Sequence, residues 1–539
     1  MPSPLRVLRP LAVLLVATAL VVSACSSGGS TSASTTSSTA VAPRTGGVLD
    51  IAVPADPIRW SPLAVDPTTA ELQAQRAVYD RLMALDANGV AVPDLADSVT
   101  SNPEFTVWTI RLRSGVTFSD GTVLDASSVA AALLWQRSTP AAYSLLAPVQ
   151  SIEVIAPHSV RVTMTSPWST FPSVLATPVG AIASVATMNG TSPTPIGTGP
   201  FVWSAVGADG TVTLVRNATY WRRGLPRLDA VRLIPIAQAN DRLDALLDGR
   251  VSMVAVDESA QLVRLSNLGD AGSRITVHDD RNAERPKLVI ALDTGRPPFD
   301  RESARRAVLA ATDRSEILTK VFDGQGAIAR GPISDPSPWF TDHAPPARDL
   351  TVARRFADEY TKATGAPLSF HLLVPPDVEI TLAAAVWRSQ LLAAGIDVTL
   401  DPVDGSAESL ATVTGQYQAA MMVGFSSLTP DSYLPLFAGS VAEQSVLSAN
   451  ITRYVDPTVI RALNDARTTT DVSRQLADYG IMQEQVALDV PYLFLVQMRQ
   501  VVATSSKVRD LTSWQTGSGS SGLGQDAATV SLAQVWIAP

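Results

Sequence analysis

Four histidines, one cysteine and 50 acidic side chains are the main raw material for chemistry in this chain of 539 residues. His158, His278, His343 and His371 form neither an HExxH motif nor a close pair, so no metal clamp is expected. His278-Asp279-Asp280 is the densest cluster, but no second ligand pair is spaced to join it, and it reads as a solvated loop. The lone Cys25 excludes an intramolecular disulfide framework and any cysteine-based zinc cluster. Gly517-Ser518-Gly519-Ser520-Ser521-Gly522 lacks the GxSxG spacing of a nucleophile elbow and reads as a surface loop. So many carboxylates guarantee accidental pairs, and no glycosidase pair is assigned. No cofactor, no metal and no catalytic residue is expected. The net charge of −9 argues against a binder that tracks nucleic-acid phosphates. The excess of arginine over lysine, in a chain rich in Ala and Val, fits a GC-rich coding bias and carries no functional weight.

The cysteine has a chemistry of its own. Arg6 and Arg9 precede an apolar run from Leu11 to Val22, too short to span a bilayer comfortably but suited to the core of a signal peptide. Val22-Ser23-Ala24-Cys25 resembles a bacterial lipobox, which implies a signal peptide over 1–24 and a diacylglyceryl group on Cys25. An ordinary signal peptide with a chance cysteine is the alternative. Each buried methylene of such an anchor contributes ~0.8 kcal/mol. Residues 25–46 then form the acylated cysteine and a Ser/Thr/Gly-rich tether that cannot offset its ordering entropy. No other segment approaches about 18 consecutive apolar residues.

The remaining chain, 46% hydrophobic and 17% charged overall, can bury a sizeable core. Strands are expected at Val48–Val53, Thr106–Leu112, Val160–Met164, Thr211–Val215, Val231–Ile236 and Leu288–Leu292. Helices are expected after Asp125, over Ser303–Thr312 behind Asp300, over Glu379–Ala394 with Gly395 past the end, and over Asp471–Leu488. The mixture is α/β without regular βαβ alternation, so a single doubly wound sheet is not expected. The absence of a linker after Gly47 suggests lobes that exchange chain several times.

Local motifs go further. Pro93-Asp94-Leu95-Ala96-Asp97-Ser98 and the block from Trp108 to Thr122 resemble the signature of family 5 extracellular solute-binding proteins, the peptide- and nickel-type receptors of ABC importers. Ile196-Gly197-Thr198-Gly199-Pro200-Phe201, Arg216-Asn217-Ala218-Thr219-Tyr220-Trp221 with Pro226, Leu246 to Val251, Pro297 to Arg314, Leu391 to Val398 and Asn450 to Pro457 continue the resemblance in order. It spans about residues 47–500.

The resemblance implies a two-lobed, periplasmic-binding-protein-like α/β fold with a third region, its interleaved lobes joined by a hinge. Region I is expected over 47–79, 195–286 and 491–539, region II over 80–194 and region III over 287–490. The ligand is expected between regions I and III, in contact with Trp60, Ser61, Val65, Gly424, Phe425, Ser426, Leu428, Asp431 and Trp514. In peptide-binding members a tryptophan packs on the ligand and an aspartate neutralises its α-amino group. Here Phe425 stands at the tryptophan position and Leu428 at the aspartate position. Either the ligand lacks a buried amine, since an ammonium without a countercharge is expensive to bury, or Asp431 or Asp404 takes that role.

The resemblance thus implies a monomeric, lipid-anchored receptor on the extracytoplasmic face of the cell membrane. It would capture a peptide or other small solute by closure and deliver it to ABC permease subunits, without nucleic acid and without enzymatic turnover. The alternative is a regulatory or scaffolding lipoprotein of cell-envelope glycolipid synthesis that keeps the same fold.

Overall fold

Strand patterning decides how the chain divides. The computed structural model describes residues 42–57, 68–143, 145–268, 274–279, 284–427, 429–437, 449–526 and 529–539. The strand Val107–Leu112 alternates as its sequence does, with Trp108, Ile110 and Leu112 inward. It sits in a four-stranded antiparallel sheet between Ala96–Ser101 and Ser159–Met164, with Val149–Ala156 beyond. The strand Lys287–Leu292 is buried at every position, the pattern of a central strand covered on both faces. Leu288, Ile290 and Leu292 enter one core, Val289 and Ala291 the core on the other face. Its six-stranded sheet runs in the order Ala327–Ile328, Tyr492–Gln497, Lys287–Leu292, Ala419–Gly424, Ser369–Val374, Asp397–Pro402. A seven-stranded sheet is built from Ile275–Asp279, Val501–Ser505, Met253–Val256, Val48–Val53, Ala230–Pro235, Val212–Arg216 and Phe201–Val206.

The chain therefore starts in the seven-stranded sheet, leaves to form the four-stranded one and returns at Phe201. It leaves again after Asp279 for the six-stranded sheet and comes back at Val501. The two passages between the large sheets lie side by side, because Met498 N–H donates to Pro286 O at 2.9 Å.

Three of the expected helix starts follow local chemistry and one does not. Asp125 and Ser128 form a capping box at the head of Ala126–Arg137. Asp377 caps Val378–Ala393, and Asp471 caps Val472–Asp489. Asp300, expected to open the next helix, does not: Glu302–Ala311 begins behind Arg301 with no side-chain cap. The segment Ile196 to Phe201 needs its glycines. A Cβ on Gly197 would sit 2.2 Å from Val78 O, where the loop crosses the end of helix Thr69–Val78.

Candidate functional site

A buried cation stands where the first of the two passages enters the six-stranded sheet. Lys287, fully buried, donates from Nζ to Glu284 (3.2 Å), to Arg285 O (3.1 Å) and to Phe425 O (2.7 Å). Glu284 in turn accepts from Ser334 N–H at 3.1 Å. Burial pulls the Lys287 ammonium below its ordinary pKa and pushes the Glu284 carboxyl above its own. Arg499 adds a second tie, bonding Asp279 of the seven-stranded sheet (2.9 Å) and Gln325 beside the six-stranded one (3.0 Å).

Gly424, Phe425 and Ser426 follow one another at the end of strand Ala419–Gly424. Gly424 has open space where a side chain would go, and Ser426 is exposed. Phe425 has φ +58° and is buried. Its ring packs on Tyr433 (5.1 Å), Tyr492 (4.9 Å) and Phe494 (5.0 Å). The left-handed backbone thus sends the ring into the core and the carbonyl to Lys287. The surface after this strand is formed by Gly424 and Ser426, with the Phe425 ring turned away.

Asp431, 1% exposed, lies in the short 3-10 helix Pro430–Tyr433, whose Tyr433 ring packs on Phe425. Its Oδ2 accepts from Thr170 Oγ1 (2.6 Å), Trp168 Nε1 (3.1 Å) and Arg467 Nε (3.2 Å). The Arg467 guanidinium lies 4.7 Å above the Trp168 ring, and its Nη2 donates to Asp431 O. The carboxylate therefore ties segment 168–170 to helix Pro457–Ala466 and its end, and any ligand contact at Asp431 requires breaking those bonds.

Trp514 is also buried, against a third junction. Together with Asp80 and Asp94 it lines a cavity of about 60 Å³, room for one or two waters. Asp80 accepts from Trp221 Nε1 (2.6 Å) and Tyr220 OH (3.1 Å); Asp94 accepts from Gly517 N–H (2.6 Å). Burial first, then the neighbouring Asp94 carboxylate, raises Asp80 well above the usual carboxylate range, and burial likewise raises Asp94. Arg113 donates to Asp94 O and lies 5.3 Å over the Trp221 ring. Residues from motifs far apart in sequence thus assemble into one packed joint.

On the other side, the two large sheets' helices meet. Glu379 of helix Val378–Ala393 accepts from Ser259 N–H at 2.7 Å and also from the Ser259 hydroxyl. Ser259 opens helix Ser259–Ser266, so the carboxylate faces the positive end of a helix dipole. Asp257 and Glu258 stand just before that helix, and Asp377 stands near Glu379. Burial raises the Glu379, Asp257 and Glu258 carboxyls, and Asp377 raises all three further. Arg242 is the cation set against them, 3.9 Å from Glu258.

Gly424, Phe425 and Ser426 are consecutive, Asp431 sits on the 3-10 helix whose Tyr433 packs on Phe425, and Trp514 lines the cavity of Asp80 and Asp94. Trp60, Ser61, Val65, Leu428 and Cys25 lie outside the described residues. Among the described residues no group of His, Asp and Glu is arranged to hold a metal ion, and no helix is long and apolar enough to cross a membrane. Sequence reading missed Lys287, Glu284, Ser259 and Glu379. A lysine directly ahead of an apolar strand, with a glutamate three residues before it, was the one available signal.

Comparison with known proteins places this architecture. Residues 90–445 match the family described as bacterial extracellular solute-binding proteins, family 5 middle. The glutathione-binding protein GsiB of Pectobacterium atrosepticum is 25% identical over 455 residues, covering 80% of this chain and 85% of that protein. GsiB of Escherichia coli strain K12 is 26% identical over 470 residues, 82% of this chain and 88% of that protein. In structure, the periplasmic binding protein AgaA of A. tumefaciens R10, solved with agropinic acid, superposes with TM-score 0.79 at 21% identity over 92% of this chain and 99% of that one. The periplasmic binding protein DppA of Helicobacter pylori, solved with the peptide STSA, gives 0.77 at 22% identity over the same shares, 92% and 99%. The fold is the two-lobed α/β fold of periplasmic binding proteins. The chain belongs to the family 5 bacterial extracellular solute-binding proteins.

Proposed function

We propose that this protein is the lipid-anchored, extracytoplasmic receptor of an ABC importer and captures a peptide or other small solute by lobe closure, making no bond. Regions over 47–79, 195–286 and 498–539 form one lobe with 80–194 attached, and 287–497 forms the other; strand Tyr492–Gln497 pairs in the six-stranded sheet, which moves the boundary expected at 491. One observation carries the reading: two lobes joined by a pinned double passage at 284–287 and 497–500 also touch at Ser259 and Glu379. A pair of bodies with that connectivity opens and closes as a hinged shell. The open backbone at Gly424 and the exposed Ser426 offer polar groups beside the passage.

The ligand class follows from charge. With Asp431 engaged by Trp168, Thr170 and Arg467, its carboxylate is not offered to an ammonium. That supports a ligand without a buried free amine, such as an N-blocked peptide or an opine. The relatives' name brings glutathione onto the same panel.

A thermal-shift screen of the purified protein tests this, pairing di- to pentapeptides with their N-acetylated forms and adding glutathione, opines, sugars and metal chelates. A ligand at 1,000 times its Kd adds ~4.1 kcal/mol to stability. Shifts with acetylated but not free peptides, or with an opine, support the reading. Micromolar binding of free peptides overturns its amine part. Silence across the panel, with a specific envelope protein captured by crosslinking, replaces it with the regulatory reading.

A further inference from the structure

Arg314 opens helix Arg314–Val321 and is 5% exposed, yet among the described residues its only hydrogen bond runs from Nε to Phe494 O at 2.7 Å. Its Nη groups find no acceptor among the described residues and keep accessible surface on the cavity that Arg314 lines. The adjacent Asp313 offsets part of the charge by raising the Arg314 pKa, while its Oδ1 accepts from Glu316 N–H to cap the helix. A second arginine nearby is also unsatisfied. Arg348 bonds Gln390 O through Nη2 (3.3 Å), but its Nε is buried with no partner.

Both arginines line one cavity. It has a volume of about 810 Å³ and lies between helix Arg314–Val321, strand Ala327–Ile328 and the proline-bearing segment 344–348. That is the size of a small-molecule site. Arg314, Arg330 and Arg348 face two acids on its wall, Asp313, which caps the helix, and Asp335, held by Gln497 (3.1 Å) and Arg330 (3.9 Å). A smaller cavity of about 320 Å³ shares Arg314 and Arg330 and carries Glu484, without Arg348. The cavity borders the lobe passage on one side, where Ala327 pairs with Gln497 and Asp335 accepts from it. Arg314 stands farther back, since Phe494 is three residues before Gln497 on that strand, roughly 10 Å along it.

We infer that this cavity is a second ligand site, which takes a small carboxylate- or phosphate-bearing anion on the Nη donors of Arg314 and Arg348. Guanidinium forks match the oxygens of both groups. Desolvation lowers Arg314 to about 10, which still leaves it charged at neutral pH.

Isothermal titration of the purified protein with inorganic phosphate and, separately, with citrate tests the inference at constant ionic strength. Saturable binding of at least one is expected, weakened threefold or more by Arg348→Gln and by Arg314→Gln. Phosphate alone, citrate alone or both identifies the anion chemistry. Absence of saturable binding with both anions overturns the site. So does an affinity that Arg348→Gln changes by less than threefold. That variant decides the matter alone should Arg314→Gln fail to fold.

Discussion

Glu379 and Ser259 are 120 residues apart and belong to different helices, yet Glu379 accepts both the backbone N–H and the hydroxyl of Ser259. The bond places a carboxylate on the first turn of a helix, a contact worth about 0.3–1 kcal/mol near a surface. It does so among like charges, with Asp257, Glu258 and Asp377 around it and Arg242 opposing. A bond that is weak on balance suits the closure proposed above, in which this contact forms and breaks with each captured solute.

Glu379→Ala is therefore expected to weaken solute affinity about two- to fivefold, because the contact exists only when the lobes meet and its free energy is that small. Titration calorimetry with a solute that stabilises the wild type checks this. An unchanged affinity would show that the lobes close without this pair.

Lys287 is predicted to be the costliest single side chain to remove at the passage. Lys287→Met leaves the Glu284 carboxylate buried without its countercharge and should cost about 3–5 kcal/mol of stability. Adding Glu284→Gln to it should recover part of that loss, which denaturant unfolding of the single and double variants measures as a coupling energy.

The Asp80 and Asp94 joint makes stability depend on pH. Folded-state carboxyl pKa values raised by burial mean that the folded protein holds protons the unfolded chain releases. Their stability is fully present below the unfolded carboxyl pKa of about 4 and is lost as pH rises through the folded value. A tenfold change in a carboxyl's proton affinity on folding corresponds to about 1.4 kcal/mol. Asp80→Asn should be less stable than wild type at low pH but lose less between pH 5 and 8, as thermal melts across that range would show.

Asp431 is predicted to act on stability. Asp431→Ala strips Arg467, Trp168 and Thr170 of a shared acceptor and should cost about 3 kcal/mol or more. The preference between acetylated and free peptides should not change. A variant that loses that preference would put the carboxylate in the ligand site.

The elements were legible where the signal is local. The alternation of Val107–Leu112 and the capping of Ala126–Arg137 by Asp125 follow from neighbours a few residues away. The family motifs were legible too, but not their role. Tyr220 reaches Asp80 over 140 residues and Gly517 reaches Asp94 over 423, distances at which spacing carries no information. Phe425 illustrates the same limit, because its direction depends on a left-handed backbone and on Lys287 beneath its carbonyl. Asp300 shows the limit of a local signal, because an acidic residue ahead of a helix looks like a cap whether or not the turn delivers it to the first N–H groups.

Capture by closure is tested most directly by small-angle X-ray scattering of the purified protein, free and saturated with the solute that raises its melting temperature most. A smaller radius of gyration is predicted with solute bound, as the lobes settle into the state in which Ser259 and Glu379 touch. Identical scattering with the solute demonstrably bound would contradict capture by closure.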